Sequence, residues 1–142
     1  MKQEDKELLF KDLCGRLPYT IKIAYRCNHI HELRAAHKSD TILVTDIITD
    51  ECITTSIENV TPYLFPMSSM TEEQKAECFK GTPLEIDKYG DVAAKEDFCG
   101  NSMYTDLEIY LEVIEWLNKN HFDYRRLIEK GLAIDCTNLN IY

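Results

Sequence analysis

The densest group of potential metal-ligating side chains lies at Cys27, His29 and His31. On a continuous strand these alternate residues would point to one face, and Cys52 would complete a plausible zinc site. Asn28, however, is typical of a turn between two strands, and a turn there would separate the three side chains. We therefore favour an exposed polar turn and predict no metal ligands and no bound cofactor.

A second group of residues could supply nucleophilic catalysis. Cys99 would need a base such as His121, and Asp123 could orient that base. Nothing in their spacing requires this arrangement, and Asp123 is equally suited to cap a helix. The chain also lacks GxGxxG and Walker-type phosphate loops. We predict no catalytic residues, and a metal- or cysteine-dependent enzyme remains the alternative to a binding protein.

Four residues near the end of the chain favour binding instead. Trp116 departs from the apolar stripe of its predicted helix, so we expect it to face a second element or a partner. Arg125 and Arg126 lie in the first turn of a predicted helix, where the helix dipole does not favour cations. They are either a solvated pair or the receptors of an anion. We predict that Trp116, Tyr124, Arg125 and Arg126 form the binding surface.

Composition places limits on the class of protein. The 142 residues are 44% hydrophobic and 29% charged, which is ordinary for one globular domain, and the net charge is −9. Such a charge repels nucleic acids and anionic membranes, so we predict neither as a partner. The charged N-terminus does not resemble a signal peptide, which favours a cytoplasmic location. Six dispersed cysteines without a CxxC pair favour free thiols over disulfides.

Hydrophobic periodicity predicts an α+β fold, with residues 1–142 as a single domain. Apolar residues at helical spacing indicate an N-terminal helix over Glu4–Cys14, with Gly15 placed to end it. Alternating and β-branched segments from about 19 to 65 predict an antiparallel meander, either open or curled into a partial barrel. Tyr63–Phe65, bracketed by two prolines, is expected to dock this sheet onto the helices.

The second half, about 69–134, is predicted to be mainly helical. Thr71 and Gln74 fit a capping box for a helix that ends near Phe79. Residues 81–102 read as a long loop that is functional or mobile. A helix is expected over about 105–118, with one apolar stripe. Its members are Leu107, Tyr110, Leu111, Ile114 and Leu117. A second helix is expected over about 124–130, ending at Gly131.

Three strings in the sequence are distinctive. They lie at Lys11–Tyr19 (containing RLPY), at Glu58–Thr71 (containing PYLFPMSSMT) and at Trp116–Ala133 (containing HFDYRRLIEKGLA). Together they resemble a family of small, mostly uncharacterised proteins encoded by phages, prophages and mobile elements of anaerobic gut bacteria. The resemblance covers about half the chain. It implies a setting rather than an activity, since small acidic proteins of such elements often act by binding a host component.

These observations lead to one hypothesis and its alternatives. The chain is expected to be a non-enzymatic binding protein of phage or mobile-element origin that counters host defence by binding a host protein. The first alternative is sequestration of a small nucleotide signal in a pocket. The expected contact surface includes residues 81–102 and the end at Arg125 and Arg126, and an oligomer is compatible with the sequence.

Overall fold

The computed structural model describes residues 1–26, 29–37, 40–95 and 106–142. Within these residues the helices are α1 (Gln3–Arg16), α2 (Glu72–Cys78) and α3 (Asp106–Lys119). The strands are β1 (Lys22–Tyr25), β2 (His29–His37), β3 (Thr41–Asp46), β4 (Cys52–Ser56), β5 (Val60–Pro66), β6 (Leu84–Ile86), β7 (Val92–Ala94), β8 (Phe122–Asp123) and β9 (Ile134–Asp135). The predicted α+β class is confirmed.

The N-terminal helix forms where its periodicity predicts it. Leu9 and Leu13, one turn apart, are fully buried against the sheet. The prediction that Gly15 ends this helix is wrong, because α1 continues to Arg16. A Cβ atom at Gly15 would lie 3.3 Å from Nδ2 of Asn118, so glycine here allows α1 and α3 to approach closely.

The strands β1 to β4 form the predicted antiparallel meander, with a bulge in β2 between Leu33 and Ala35. The predicted docking segment Tyr63–Phe65 is instead part of β5, which pairs antiparallel with β1. The sheet follows the open order β4-β3-β2-β1-β5-β8, and β9 also pairs with β5. Within the described residues the end strands do not pair with each other, so the sheet is open and not a partial barrel. It is also mixed, because β8 and β9 run parallel to β5.

The C-terminal half is only partly helical. The capping box at α2 is confirmed, since the N–H of Gln74 donates to Oγ1 of Thr71 and the N–H of Thr71 donates to Oε1 of Gln74. The sequence predicts no regular structure over 81–102, but β6 and β7 form a hairpin within this stretch. Its residues 96–102 lie outside the described ranges.

The long helix α3 also forms as predicted, but its buried face differs from the predicted stripe. Leu117 is fully buried, and so is Val113, which the stripe did not include. Leu107, Tyr110 and Leu111 are exposed, with 73% of the Leu107 surface accessible. The buried contacts of α3 are thus concentrated toward its C-terminal end. Residue 105, where this helix was expected to begin, lies outside the described residues.

The predicted helix over 124–130 does not form. The segment is a series of turns, because the carboxylate of Asp123 accepts the N–H groups of Leu127 and Ile128, and Arg126 has a φ of +59°. A left-handed residue in this position interrupts a right-handed helix. Gly131, the expected end of that helix, has a φ of +70°, and the N–H of Leu132 donates back to the carbonyl oxygen of Leu127.

Free cysteines are confirmed at the four described positions, but only Cys78 and Cys136 are buried, while Cys14 and Cys52 are exposed. The described part of the chain contains no helix that is both long and apolar enough to span a membrane.

Candidate functional site

The three distinctive strings, far apart in sequence, meet at one place in the fold. Arg16, at the end of α1, donates from Nη2 to the carbonyl oxygen of Phe122 at 2.8 Å. Phe65 of β5 contacts the Phe122 ring, with the ring centroids 5.9 Å apart, and β5 and β8 pair there in parallel. We call this region, where α1, β5 and residues 116–125 meet, the junction.

A fully buried ion pair lies at the junction. Nε of Arg16 donates to Oδ2 of Asp12 at 2.7 Å, and Nη2 of Arg16 donates to Oδ1 at 3.1 Å. The i,i+4 spacing on α1 places the two side chains one turn apart, and neither is accessible to solvent. The Nη1 atom of Arg16 is buried and has no hydrogen-bond partner. Since burial of unpaired charge is costly, this pair requires its neighbours to complete it.

Arg125 and Tyr124 supply part of that environment. Nε of Arg125 lies 3.4 Å from Oδ1 of Asp12, so two guanidinium groups share one carboxylate. The Tyr124 ring has the Arg125 guanidinium 5.0 Å from its centroid and the Arg16 guanidinium 5.5 Å away. The Tyr124 hydroxyl and Nε of Arg125 are buried without hydrogen-bond partners. The junction thus combines positive charge with unused donors.

All the buried side-chain polar atoms that lack a partner in the described residues belong to the junction. Besides the three atoms named above, they are Oδ1 of Asn118 and Nδ1 of His121. Such atoms are few in folded proteins, and each costs about 1–3 kcal/mol relative to hydration. Their concentration in one region distinguishes the junction from the rest of the core.

A pocket of about 340 Å³ opens at the junction, with Phe65 and Phe122 in its lining. It lies between the start of α2, the end of α3 and the C-terminal segment. Its lining residues are Phe65, Ser69, Thr71, Gln74, Lys119, Asn120, His121, Phe122, Thr137 and Tyr142. These are aromatic, hydroxyl and amide side chains with one lysine and one histidine, and no aspartate or glutamate is among them.

His121 and Tyr142 form one wall of this pocket. Their rings are stacked, with centroids 3.9 Å apart and planes 13° from parallel. The Tyr142 hydroxyl donates to the carbonyl oxygen of Tyr63 and accepts the N–H of Lys22. Burial, with a smaller effect from the charges of Arg16 and Lys22, lowers the pKa of His121 to about 4. His121 is therefore uncharged at neutral pH and presents a flat aromatic face.

Asp123 has a structural role at the junction. Both of its carboxylate oxygens accept backbone N–H groups, from Leu127 at 2.9 Å and from Ile128 at 2.8 Å. Burial raises the pKa of Asp123 above its usual range, and the backbone hydrogen bonds act in the opposite direction. In the alternative catalytic arrangement Asp123 was the orienting acid, whereas here it fixes the following turns. Cys99, the nucleophile of that arrangement, lies outside the described residues.

The four predicted binding residues separate into three environments. Tyr124 and Arg125 lie at the junction. Trp116 stacks on Phe122 at 5.9 Å, so it faces a second element of the same chain. Arg126 pairs with Asp91 and donates to the carbonyl oxygen of Tyr89, which ties it to the β6–β7 hairpin. The structure therefore brings only Tyr124 and Arg125 together, and none of the four predicted residues lines the pocket.

Of the pocket residues, the sequence singled out His121 as a candidate base, but it did not predict that these ten residues come together. The i,i+4 spacing of Asp12 and Arg16 could have predicted an ion pair on α1. Lys119 and Asn120 lie within one of the distinctive strings. Nothing in the sequence indicated that Tyr142 would stack on His121, because that contact depends on the path of the C-terminal segment.

The alternative zinc hypothesis is not supported by the described ligands. His31 donates from Nδ1 to the carbonyl oxygen of His29, and its Nε2 lies 3.6 Å from Oδ2 of Asp46. The Cys52 thiol lies 3.4 Å from Oγ1 of Thr45. Among residues 1–26, 29–37, 40–95 and 106–142, no group of three potential ligands is arranged to hold a metal. Cys27 and Asn28 lie outside these ranges.

Comparisons with protein families, with curated proteins and with solved structures found no match to this chain.

Proposed function

We propose that this chain is a non-enzymatic binding protein that holds a small anionic ligand with an aromatic group, such as a nucleotide, in the junction pocket. The observation that supports this proposal best is the pocket lining. On a chain with a net charge of −9, no acidic side chain lines this pocket, and Lys119 does. Exclusion of carboxylates from a cavity lowers the electrostatic cost of admitting an anion.

The lining also offers groups suited to the other parts of such a ligand. Phe65, Phe122 and the His121–Tyr142 stack provide apolar aromatic surface for a planar base. The side-chain amides of Gln74 and Asn120 are suited to hydrogen bonding along the edge of a base. Ligand sites combine apolar surface with polar groups that orient the ligand. This pocket offers both, since four of its ten lining residues are aromatic and the other six are polar.

The substitution Gln74→Glu tests the proposal with little disturbance of the fold. Glutamate suits the third helical position of a capping box as well as glutamine does, so α2 should remain capped. It also places a negative charge in the pocket wall. Purified wild-type protein would be heated to release bound molecules for mass spectrometry, and titrated with cyclic dinucleotides, ADP-ribose derivatives and nucleoside phosphates by calorimetry.

We expect at least one of these anions to bind, and Gln74→Glu to weaken that binding about tenfold or more through charge repulsion at close range. The control is Gln3→Glu, which makes the same change of charge at the opposite end of α1 from the junction. Equal weakening by both variants would indicate a general charge effect, and the absence of any bound or titratable anion would refute the proposal.

A protein partner is a second candidate, and exposed residues on α3 favour it. Leu107 and Leu111 are one turn apart, Tyr110 is adjacent to them, and all three are exposed. A host protein that covers this face would be captured by wild-type protein and lost from Leu111→Asp, whereas Glu112→Gln on the same helix would still capture it. Capture that is identical for all three proteins would contradict this candidate.

The phage or mobile-element setting also stays a proposal, and it is supported by the resemblance of the three strings. Genes adjacent to the coding sequence would test it, since phage structural, integration or defence-related neighbours are expected. A neighbourhood of housekeeping genes in several genomes would count against that setting.

A further inference from the structure

The strand β4 forms one end of the sheet. It pairs with β3, and the order of strands places no other described strand on its outer side. The β3–β4 register is regular over five residue pairs, from Thr45 opposite Cys52 to Thr41 opposite Ser56. The outer side of β4 is therefore an edge of the sheet, and the regular register identifies which of its backbone groups are unpaired.

Two backbone hydrogen bonds, one at each end of this hairpin, show which residues of β4 bond to β3. The N–H of Asp46 donates to the carbonyl oxygen of Glu51, and the N–H of Ile57 donates to that of Asp40. In an antiparallel ladder, hydrogen-bonded and non-hydrogen-bonded pairs alternate. Ile53 and Thr55 thus direct their backbone groups toward β3. The N–H and C=O groups of the remaining strand residues, Cys52, Thr54 and Ser56, point to the open edge.

The usual protections of an edge strand are missing from β4. Natural edges carry lysine, proline, bulges or inward-pointing charges that prevent pairing with another chain. The sequence of β4 is CITTS, which contains no charge, proline or glycine. Its side chains are β-branched or small, which favours a regular extended strand. Such an edge is a template for an added strand.

We propose that β4 pairs antiparallel with β4 of a second copy of this chain, about a two-fold axis at Thr54. In this register Thr54 faces its own counterpart, and Cys52 of each copy faces Ser56 of the other. Ile53 of each copy faces Thr55 of the other, and every side chain in this register is uncharged, so the strand is complementary to itself. The pairing joins the two sheets into one continuous sheet.

Apolar side chains lie near both ends of β4. Ile47 and Ile48, in the turn that precedes β4, are 45% and 85% exposed. At the other end, the carbonyl oxygen of Asp40 accepts the N–H of Ile57. Asp40 also borders a cavity of about 460 Å³, in which Leu8 and Phe10 lie beside the charged residues Glu4, Glu7 and Lys11. The two-fold axis brings the isoleucine end of one copy to the cavity end of the other. Exposed isoleucines of one copy therefore approach Leu8 and Phe10 of the other, and this contact occurs twice in the dimer.

Charge repulsion between the two copies opposes this association and makes it depend on salt concentration. Each copy has a net charge of −9, and the register places Asp50 of one copy near Glu58 of the other. Lys6 offsets part of that repulsion, because it pairs with Glu58 at 2.9 Å. Added salt screens the remaining repulsion between exposed charges, so dimerisation strengthens as ionic strength rises.

The decisive variants are at Thr54, and sedimentation velocity over a wide concentration series measures their effect. Thr54→Pro removes the outward-pointing N–H and no backbone donor that faces β3, so the β3–β4 ladder should stay intact. The two hydrogen bonds lost per dimer correspond to a dissociation constant about 30-fold higher. Thr54→Lys, which places like charges opposite each other at the axis, should also weaken the dimer. Thr54→Val keeps the backbone groups and should dimerise as the wild type does.

A covalent readout tests the register independently. Ser56→Cys places a thiol opposite Cys52 of the second copy, and mild oxidation should then produce a disulfide-linked dimer that mass spectrometry maps to positions 52 and 56. Circular dichroism identifies any variant that fails to fold, and Thr54→Lys then replaces Thr54→Pro in the comparison. A wild-type protein that is monomeric at millimolar concentration overturns the proposal. So does a dimer that folded Thr54→Pro and Thr54→Lys leave unchanged, or a Ser56→Cys dimer in which positions 52 and 56 do not cross-link.

Discussion

Removal of the Arg16 side chain charge tests how much the buried pair at the junction contributes to the fold. In Arg16→Met, a side chain of comparable length keeps most of the packing but loses all the donors. The Asp12 carboxylate would then keep only Nε of Arg125, at 3.4 Å, as a cationic neighbour. The carbonyl oxygen of Phe122 would also lose the donor that holds it at 2.8 Å.

The expected cost is large because an uncompensated charge would remain buried. Both members of the pair are fully inaccessible, and removal of one partner from a buried pair destabilises a protein by about 3–5 kcal/mol. For a chain of this size, each kcal/mol lowers the melting temperature by about 2–4 °C. We therefore expect Arg16→Met to melt about 10 °C below the wild type. The double variant Asp12→Leu, Arg16→Met removes both charges and should recover much of that loss.

Urea denaturation followed by circular dichroism measures these free energies of unfolding, and calorimetry gives the melting temperatures. Lys11→Met is the matched control, since it makes the same substitution at an exposed position on α1 and should change stability by less than about 0.5 kcal/mol. The reasoning is refuted if Arg16→Met costs no more than this control. It is also refuted if the double variant is less stable than Arg16→Met alone.

Three further predictions concern other parts of the fold. The pKa of His121 is lowered to about 4 in the folded state, whereas its value in the unfolded chain is about 6.5. Between these values the unfolded chain binds more protons than the folded one, so His121 should reduce the free energy of unfolding as pH falls through this window. Burial raises the pKa of Cys78 to about 12 and that of Cys136 to about 11, so a thiol reagent at pH 8 should label exposed Cys52 quickly and these two only on unfolding. Thr71→Ala removes the side-chain cap of α2 and should cost about 1 kcal/mol in denaturant titration.

Each of these has a control. His121→Asn accepts the positive φ of +62° at this position and should flatten the pH dependence between 4 and 6.5; an unchanged slope would contradict the assignment. Peptide mapping after labelling identifies the modified cysteines, and rapid native labelling of Cys78 or Cys136 would show that burial does not protect them. Thr71→Ser retains a capping hydroxyl and should stay near wild-type stability, so equal losses for both substitutions would exclude capping as the cause.

Local signals predicted the local structure well. The leucine spacing of α1, the β-branched segments of β3 and β4, and the Thr71–Gln74 box all depend on interactions within a few residues, and all three predictions were confirmed. The helix over 124–130 failed for a reason that sequence pattern does not reveal. Asp123 uses both carboxylate oxygens to hold turns, which leaves Arg126 with a left-handed backbone.

Long-range strand pairings account for the other features that the sequence did not predict. The apolar residues at Tyr63–Phe65 fit a docking segment as well as a strand, and only the parallel partners β8 and β9 make them part of the sheet. Those partners have two residues each, which is too short for a periodic signal. The junction is hidden for the same reason, because Arg16 and Phe122 are brought together by the tertiary fold.

The two proposed binding surfaces lie at opposite ends of one sheet, and this makes them separable. The pocket adjoins β5 and β8, while the self-association edge is β4, at the other end of the strand order. Pairing through β4 would therefore leave both pockets of a dimer open. Gln74→Glu should then weaken ligand binding without altering the sedimentation of the protein, and Thr54→Pro should do the reverse. If either variant changed both properties, the pocket and the edge would be coupled, and the assignment of separate roles to them would fail.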